Sequence, residues 1–285
     1  MKRFLTLMLA AFLLIAACCP ALAEDALRGY DKKAGYQYVT FGRFPQEVDG
    51  TVKPILWRVL RVKDGQAYIL SEYVLDVRRM HGDYQEYANK PNNTKKPGFN
   101  GDFSQTELGL YLNGEFMAHF TEAELAQLSP DEKLGSFFLV TNADLKDKNL
   151  GFGTNQSRKA WGTDYAIESG LFVYGSRYGK HSPYWTCVQS TSDARHARCT
   201  KDEGEIGRIN VITENLGMRP ACYLDMTKVD VVSGTGTMDD PFVLNAAPAE
   251  MPADPEAAPA AENPCCTPET CACCSGCTCG CQDAK

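Results

Sequence analysis

This chain lacks long hydrophobic runs and an excess of positive charge, and each of these absences excludes a class of protein. Its globular part also shows no internal repeat. The apolar run near the start is short for a membrane-spanning helix, which needs about 20 residues, and no later stretch reaches that length, so we expect no transmembrane segment in the mature chain. The formal net charge of −7 argues against a nucleic-acid partner, although it leaves room for a local basic patch. No constellation typical of a catalytic site stands out, which favours a binding protein over an enzyme.

The first residues carry an export signal. Two basic residues precede an apolar run over residues 4–17, and a small-residue cleavage pattern follows at residues 21–23. Together they predict a secretory signal peptide over residues 1–23. A second interpretation overlaps the first, because residues 15–18 resemble a bacterial lipobox in which Cys18 is lipidated. Both interpretations place the mature chain outside the cytoplasm, either secreted or lipid-anchored to the cell envelope.

Composition divides the mature chain into three parts. Residues 24–245 have the composition of a globular domain. Residues 246–264 are rich in Ala, Pro and Glu and lack aromatic and β-branched residues, so they predict a disordered linker that cannot bury a core. Residues 265–285 form a tail in which cysteines alternate mainly with small residues. We therefore expect one domain, a spacer and a cysteine module.

Strand patterns dominate both ends of the domain. Asp64 and Gly65 lie between two such runs, and this pair predicts a tight hairpin. The predicted strands cover residues 36–42, 55–62, 66–71, 137–141, 184–190, 206–212, 218–224 and 242–244.

Capping boxes predict short helices in the middle of the domain. They are formed by Ser104 with Glu107, Thr121 with Glu124, and Ser129 with Glu132. Residues 149–183, rich in Gly, Ser, Asn and Tyr, are interpreted as a surface loop. Strands, then helices, then strands with long loops predict an α+β fold, with small mixed or antiparallel sheets and few helices.

Five sequence blocks carry a resemblance to a known family. They are YVTFGRFPQ (38–46), ILWRVLRVKDGQAYILSEYVLD (55–76), LGLYLNGEF (108–116), GMRPACYLD (217–225) and GTGTMDDPFVL (234–244). In this order they resemble the bacterial secreted domains of unknown function DUF 6273, over roughly residues 36–244. The resemblance implies an exported domain and brings no activity with it.

A second resemblance concerns the layout of the late strands. A Trp-containing strand followed by an Arg-Pro strand is similar to C-type-lectin-like and formylglycine-generating-enzyme-like domains. This likeness implies a ligand site on the loops between residues 149 and 216. The oxidase branch uses a cysteine pair near its C-terminus, and the domain cysteines here, Cys187, Cys199 and Cys222, do not match that pair. They are open to two interpretations, one disulfide with one free thiol or three buried thiols.

The cysteine-rich tail is the part of the sequence that indicates its chemistry most clearly. Its cysteines are Cys265, Cys266, Cys271, Cys273, Cys274, Cys277, Cys279 and Cys281. The dense Cys-x-Cys spacing resembles metallothioneins and predicts binding of a soft ion, zinc or copper(I). Disulfides, within the tail or to another thiol protein, are the alternative, because export favours oxidation.

One segment of this acidic domain combines basic and aromatic residues. We expect it to bind an anionic glycan or another acidic surface, and the alternative is a solvated loop over packed aromatic rings. The candidate ligand residues are Arg177, His181, Tyr184, Trp185, Arg195, His196 and Arg198.

Two further residue types are interpreted as structural. We expect Trp57 and Trp185 to lie in the core and not to form a platform for a ligand. Arg219 lies in an apolar strand, so we expect its buried guanidinium to pair with a carboxylate such as Asp225 or Asp76.

The sequence thus predicts an exported, non-enzymatic binding domain with a soft-metal-binding tail. A Cys-dependent oxidoreductase, or an enzyme of the formylglycine-generating type, is the alternative.

Overall fold

Two β-sheets organise the domain in the computed structural model, which describes residues 26–82, 99, 101–173, 181–190 and 195–245. The described residues do not include the predicted signal peptide, the lipidation candidate Cys18, the predicted linker, the eight tail cysteines or Arg177. All of the described residues belong to the first of the chain's two units, which ends at Ala247.

The larger sheet has seven strands. They are β1 (Gln37–Pro45), β2 (Val52–Lys63), β3 (Gln66–Ser71), β5 (Phe138–Leu139), β10 (Pro220–Asp225), β11 (Val231–Ser233) and β12 (Phe242–Leu244). Their order across the sheet is β11-β12-β1-β2-β3-β10-β5. The β1–β12 pair is parallel and the other pairs are antiparallel, so the sheet is mixed.

The smaller sheet has five strands and carries four of the candidate ligand residues, Tyr184, Trp185, His196 and Arg198. They are β4 (Asp76–Val77), β6 (Tyr184–Gln189), β7 (His196–Thr200), β8 (Ile206–Asn210) and β9 (Gly217–Met218). Their order is β4-β9-β6-β7-β8, which leaves β8 at one edge.

Helices are short and few among the described residues. The α-helices are α1 (Glu107–Leu112), α2 (Glu122–Leu125), α3 (Asn155–Arg158) and α4 (Asp164–Glu168). Turns of 3-10 helix cover Phe103–Gln105, Glu115–His119, Asp144–Lys146 and Lys148–Leu150. The predicted α+β fold with small mixed sheets is therefore confirmed. The segment interpreted as a loop, residues 149–183, contains α3 and α4. None of the described helices combines the length and the apolar character needed to cross a membrane.

The predicted β2–β3 hairpin is confirmed. Lys63 pairs with Gln66, and the two residues between them adopt left-handed conformations, with φ of 53° at Asp64 and 73° at Gly65. Positive φ at both central residues matches the right-handed twist of the flanking strands.

Of the three predicted capping boxes, only that of α2 forms. Thr121 and Glu124 exchange side-chain and backbone hydrogen bonds as predicted. The box at Ser104 is wrong, because Thr106 caps α1 by accepting a hydrogen bond from the Gly109 N–H. The helix predicted after Ser129 is also wrong.

A turn replaces the helix expected after Ser129. The Asp131 carboxylate accepts hydrogen bonds from the N–H groups of Lys133 and Leu134, at 2.8 and 2.9 Å. Gly135 then bridges back to Asp131 with a φ of +88°. A short acidic side chain that bonds nearby backbone offers the chain an alternative to a helix.

Both tryptophans assigned to the core are buried. Trp57 and Trp185 are each 0% exposed. Their indole N–H groups donate to the carbonyls of Phe41 and Arg78, both at 2.7 Å. Burial with a satisfied N–H group is the normal state of a core tryptophan.

Candidate functional site

The candidate ligand residues separate into buried and accessible side chains. Tyr184 and Trp185 lie in the core, and the Tyr184 hydroxyl donates to the carbonyl of Arg158 at 2.8 Å. His181 is also buried. These three side chains therefore offer little surface to a ligand. Arg195, just before β7, is exposed, and His196 and Arg198 are half-buried on β7.

The register between β7 and β8 creates a basic patch. His196 lies opposite Asn210, and Arg198 lies opposite Arg208. Cross-strand partners in an antiparallel ladder point to the same face of the sheet. We name these four residues, His196, Arg198, Asn210 and Arg208, the β7–β8 patch.

Hydrogen bonding shows how close the two arginines lie. The Lys201 N–H donates to the Glu205 carbonyl, and the Val211 N–H donates to the Arg195 carbonyl. Because hydrogen-bonded and non-hydrogen-bonded pairs alternate along an antiparallel ladder, Arg198 and Arg208 form a non-hydrogen-bonded pair. In such pairs the side chains approach most closely, with Cβ atoms about 5 Å apart.

Two like charges directly opposite each other disfavour the folded state. Arg208 is exposed at the edge strand, so the pair is open to solvent on one side. Arg195, His196 and Arg208 each make further interactions within the chain. The patch concentrates positive charge on a protein whose net charge is −7.

Arg208 is, with Asn210, one of the two patch residues that sequence reasoning missed. Its partnership with Arg198 depends on the β7–β8 register, which is set by the turn at residues 201–205. If a tight turn had been predicted at Gly204 from the sequence, the register would have placed the two arginines opposite each other, because turn geometry sets the register of a hairpin.

The three domain cysteines are buried free thiols, which resolves the two interpretations in favour of the second. Burial raises the pKa of Cys187 to about 12 and that of Cys199 to about 11. Burial also raises the pKa of Cys222 well above its ordinary value. The nucleophilic form of cysteine is the thiolate, so these side chains are poor nucleophiles at neutral pH.

Arg219 is fully buried, as its apolar strand suggested, but its predicted partners are wrong. The guanidinium donates to the carbonyls of Ser71 and Glu72, at 2.9 and 3.1 Å. Asp225 pairs with Lys228 and Asp76 with Arg78.

The adjacent carboxylate is paired with a second arginine, so Arg219 is held by backbone carbonyls, and burial first and then the nearby charge of Arg58 lower the pKa of its guanidinium. The Arg58 guanidinium donates to both Glu72 oxygens, at 2.6 and 2.5 Å.

Within the described part of the chain, no group of three or more His, Cys, Asp or Glu side chains is placed to hold a metal ion. No family model, curated protein or solved structure matches the chain. The resemblances to DUF 6273 and to lectin-like domains therefore stay predictions, and function has to be inferred from the chain's own residues.

Proposed function

We propose that this chain is an exported, non-enzymatic binding protein whose domain binds an anionic ligand at the β7–β8 patch and whose cysteine tail binds a soft metal ion. The observation that carries the first part is the cross-strand Arg198–Arg208 pair.

An anion between Arg198 and Arg208 would be attracted by both guanidinium groups. Guanidinium groups bind carboxylate, sulfate and phosphate through paired N–H donors, which makes a closely spaced arginine pair a suitable receptor. Asn210 contributes as well, because its amide oxygen accepts from the Ile212 N–H at 3.2 Å and its NH₂ group is the remaining donor. An acidic glycan and an acidic protein surface share this chemistry.

The state of the domain thiols supports a binding role over thiol catalysis. All three are buried, and their raised pKa values keep them protonated at neutral pH. Thiolate chemistry in this protein is therefore expected in the tail.

The tail supplies closely spaced thiolates to soft metals. Eight of the thirteen cysteines fall within residues 265–281. Since a tetrahedral zinc site takes four thiolates, about two ions fit without sharing of ligands. Zinc and copper(I) both favour this donor set.

The ligand proposal is tested with the mature full-length chain and two polyanion probes, heparin and polygalacturonate. In calorimetric titration, the double variant R198Q/R208Q should lose about tenfold or more in affinity, which corresponds to at least about 1.4 kcal/mol. The control K32Q/K33Q removes the same charge from an exposed turn and should change affinity less than about twofold. Equal losses in the two double variants would show non-specific charge attraction and contradict the proposed site.

Thermal unfolding gives the same experiment a second readout. R198Q alone should leave stability unchanged or raise it by up to about 1 kcal/mol, because it removes the like-charge contact. A substitution in a binding surface weakens binding without lowering stability. A substitution at a structural position lowers stability, so the two roles can be told apart.

The tail proposal is tested by elemental analysis and thiol counting on protein purified without oxidation. Zinc or copper(I) should copurify, and acid should release it, because protons compete for thiolates whose free pKa is about 8.5. The variant C277S/C279S/C281S should bind fewer ions. If all eight tail cysteines are disulfide-bonded, the tail is a covalent staple or attachment segment instead.

A further inference from the structure

A small cavity opens on one face of the seven-stranded sheet, whereas the β7–β8 patch belongs to the other sheet. The cavity has a volume of about 170 Å³. Sites for drug-sized ligands have about 300–1,000 Å³, so this one has room for a single small group. Three neighbouring strands, β2, β3 and β10, and the turn between the first two line it with Arg61, Lys63, Asp64, Gln66, Tyr68 and Tyr223.

The register of the three strands brings these side chains together. Tyr68 lies opposite Arg61 on one side and opposite Tyr223 on the other. Lys63 lies opposite Gln66 in the next row. Cross-strand partners point to the same face of a sheet, and so do residues two apart along a strand. The cavity is therefore built on paired strands, which hold its side chains in place.

A β-bulge aims Arg61 at this face. Val59 lies opposite Ile69. Two residues further on, Arg61 lies opposite Tyr68, so the register has shifted by one residue. Without that shift Arg61 would lie opposite Ala67 and point to the other face of the sheet. Bulges re-aim side chains in this way and are over-represented next to active sites.

Arg61 has hydrogen-bond donors to spare. Its guanidinium lies over the ring of Tyr68, with the Cζ atom 5.8 Å from the ring centroid. Within the part of the chain that the structure describes, this guanidinium makes no hydrogen bond or ion pair. The side chain is also exposed to solvent. Its planar fork of N–H groups is therefore open to an incoming carboxylate, whose two oxygens it matches.

Two tyrosine rings form the wall beside Arg61. The ring centroids of Tyr68 and Tyr223 lie 4.9 Å apart. Tyr68 is buried, and its hydroxyl donates to the Asp144 Oδ2 atom at 3.2 Å. Tyr223 is half-buried, and among the described residues its hydroxyl has no hydrogen-bond partner. Tyr223 can thus donate to a bound anion while its ring provides apolar contact.

The charges that line the cavity leave one net positive charge. Arg61 and Lys63 are cationic and Asp64 is anionic. The Lys63 Nζ atom lies 3.5 Å from the Asp64 carboxylate, so these two side chains offset each other. The charge available to a ligand is that of Arg61, which suits a singly charged anion.

Two further carboxylates lie close to the cavity without lining it. Asp225, on β10, pairs with Lys228 at 3.0 Å. Asp144 accepts from the Tyr68 hydroxyl and also from the N–H and hydroxyl of Thr141, at 2.8 and 2.7 Å. Both carboxylates therefore already have donors and need none from the cavity.

We propose that this cavity binds the carboxylate group of a small monoanion. The fork of Arg61 holds the two carboxylate oxygens, the Tyr223 hydroxyl donates to one of them, and the body of the ligand lies along the tyrosine rings. A free aromatic acid and the uronic-acid end of a glycan share this chemistry. The site does not depend on the β7–β8 patch.

The test is an NMR titration of the mature full-length chain with two carboxylates and their neutral counterparts. Benzoate is compared with benzamide, and galacturonate with galactose. At least one carboxylate should bind in a saturable way, with a Kd on the order of 1 mM for a ligand of this size. Its neutral counterpart should bind at least about tenfold more weakly. Whichever carboxylate binds more tightly identifies the source of the group.

Four variants locate the binding site. R61Q should weaken binding of that carboxylate at least about tenfold. R61K keeps the charge without the fork, so it should lose less, and it guards against misfolding as the cause. Y223F keeps the ring without the hydroxyl and should lose about threefold. The control R198Q/R208Q removes charge from the other sheet and should leave affinity within about twofold.

Four outcomes would overturn the proposal. The first is that neither carboxylate binds in a saturable way, and the second is that a neutral counterpart binds equally well. The third is that sulfate, a dianion, binds more tightly than both carboxylates. The fourth is that R198Q/R208Q weakens binding as much as R61Q, which would place the carboxylate at the β7–β8 patch. Heparin affinity tests that patch separately, so either proposal can fail alone.

Discussion

At the scale of single residues, the buried charges of the domain show where sequence reasoning ends. The apolar strand around Arg219 predicts burial, and the side chain is 0% exposed. Its partners lie about 147 residues away in the chain, as the carbonyls of Ser71 and Glu72, and no local pattern identifies them. Glu72 stabilises both buried arginines, because its carboxylate attracts the guanidinium groups of Arg58 and Arg219.

Glu72 is therefore expected to be the most sensitive member of this group. The substitution Glu72→Gln leaves two buried guanidinium groups without a countercharge and should destabilise the protein by about 3–5 kcal/mol in urea unfolding. Glu47→Gln is the matched control, because its pair with Lys53 is substantially exposed and should contribute less than about 1 kcal/mol. Similar losses in the two variants would contradict this role for Glu72.

The same carboxylate predicts how stability depends on pH. Burial raises the pKa of Glu72, but the stronger combined attraction of Arg58 and Arg219 holds it below its ordinary value of 4.5. A carboxyl group with a lowered pKa in the folded state stabilises the protein above its unfolded-state pKa, and that contribution is lost as the pH falls through the folded-state value.

The free energy of unfolding should therefore fall more steeply in wild type than in Glu72→Gln below about pH 4.5. Comparing the two proteins over this range cancels the contributions of other carboxyl groups. Parallel curves would show that Glu72 keeps an ordinary pKa.

At the scale of elements, turns and helix caps were predictable where a short sequence motif determines the local structure. The Asp64-Gly65 hairpin and the α2 capping box follow from residues adjacent in sequence. The helix expected after Ser129 fails because Asp131 bonds the backbone two and three residues ahead. The β7–β8 register and its Arg198–Arg208 pair escaped prediction, since they follow from a turn that the strand pattern alone does not locate.

Alanine substitutions at two turn glycines distinguish the cost of backbone strain from the cost of a steric clash. Gly65 and Gly204 have φ values of +73° and +80°, so alanine is strained at both. A Cβ at Gly65 meets nothing within 4 Å, whereas a Cβ at Gly204 would lie 1.9 Å from the Asn155 carbonyl oxygen. Gly65→Ala should cost about 1–2 kcal/mol, and Gly204→Ala about 1–3 kcal/mol more, in urea unfolding. Equal effects would mean that the turn shifts away from Asn155 without penalty.

At the scale of the whole molecule, the fold class was predictable and the contacts between distant segments were not. Alternating strand patterns interrupted by short helices are enough to predict an α+β domain. The sheet order β11-β12-β1-β2-β3-β10-β5 joins strands from opposite ends of the domain, which periodicity cannot show. The burial of the thiols likewise depends on segments distant in sequence, since the Cys187 Sγ atom lies 3.8 Å from the Val140 carbonyl oxygen.

Thiol reactivity should separate domain from tail. In a shortened chain that ends at Asn245, Cys187, Cys199 and Cys222 should not react with a disulfide reagent at about pH 8, because their thiols are buried and their pKa values are raised. All three should react in urea. The full-length chain, reduced and freed of metal, should react in addition through its tail.

A domain thiol that reacted in the folded shortened chain as fast as free cysteine would contradict this prediction. It would also favour the alternative of a cysteine-dependent oxidoreductase.

The parallel pairing of β1 with β12 has a consequence for the timing of folding. Val39 lies beside Phe242, so a strand near the start of the domain is bordered by one at its end. As the chain emerges during synthesis or passage through a translocation pore, β1 keeps an open edge until residues 242–244 arrive. Contacts between residues so far apart in sequence slow folding. The seven-stranded sheet can thus be completed only after nearly the whole domain has been delivered. For the export that we propose, this delay would keep the chain unfolded until it has crossed the membrane.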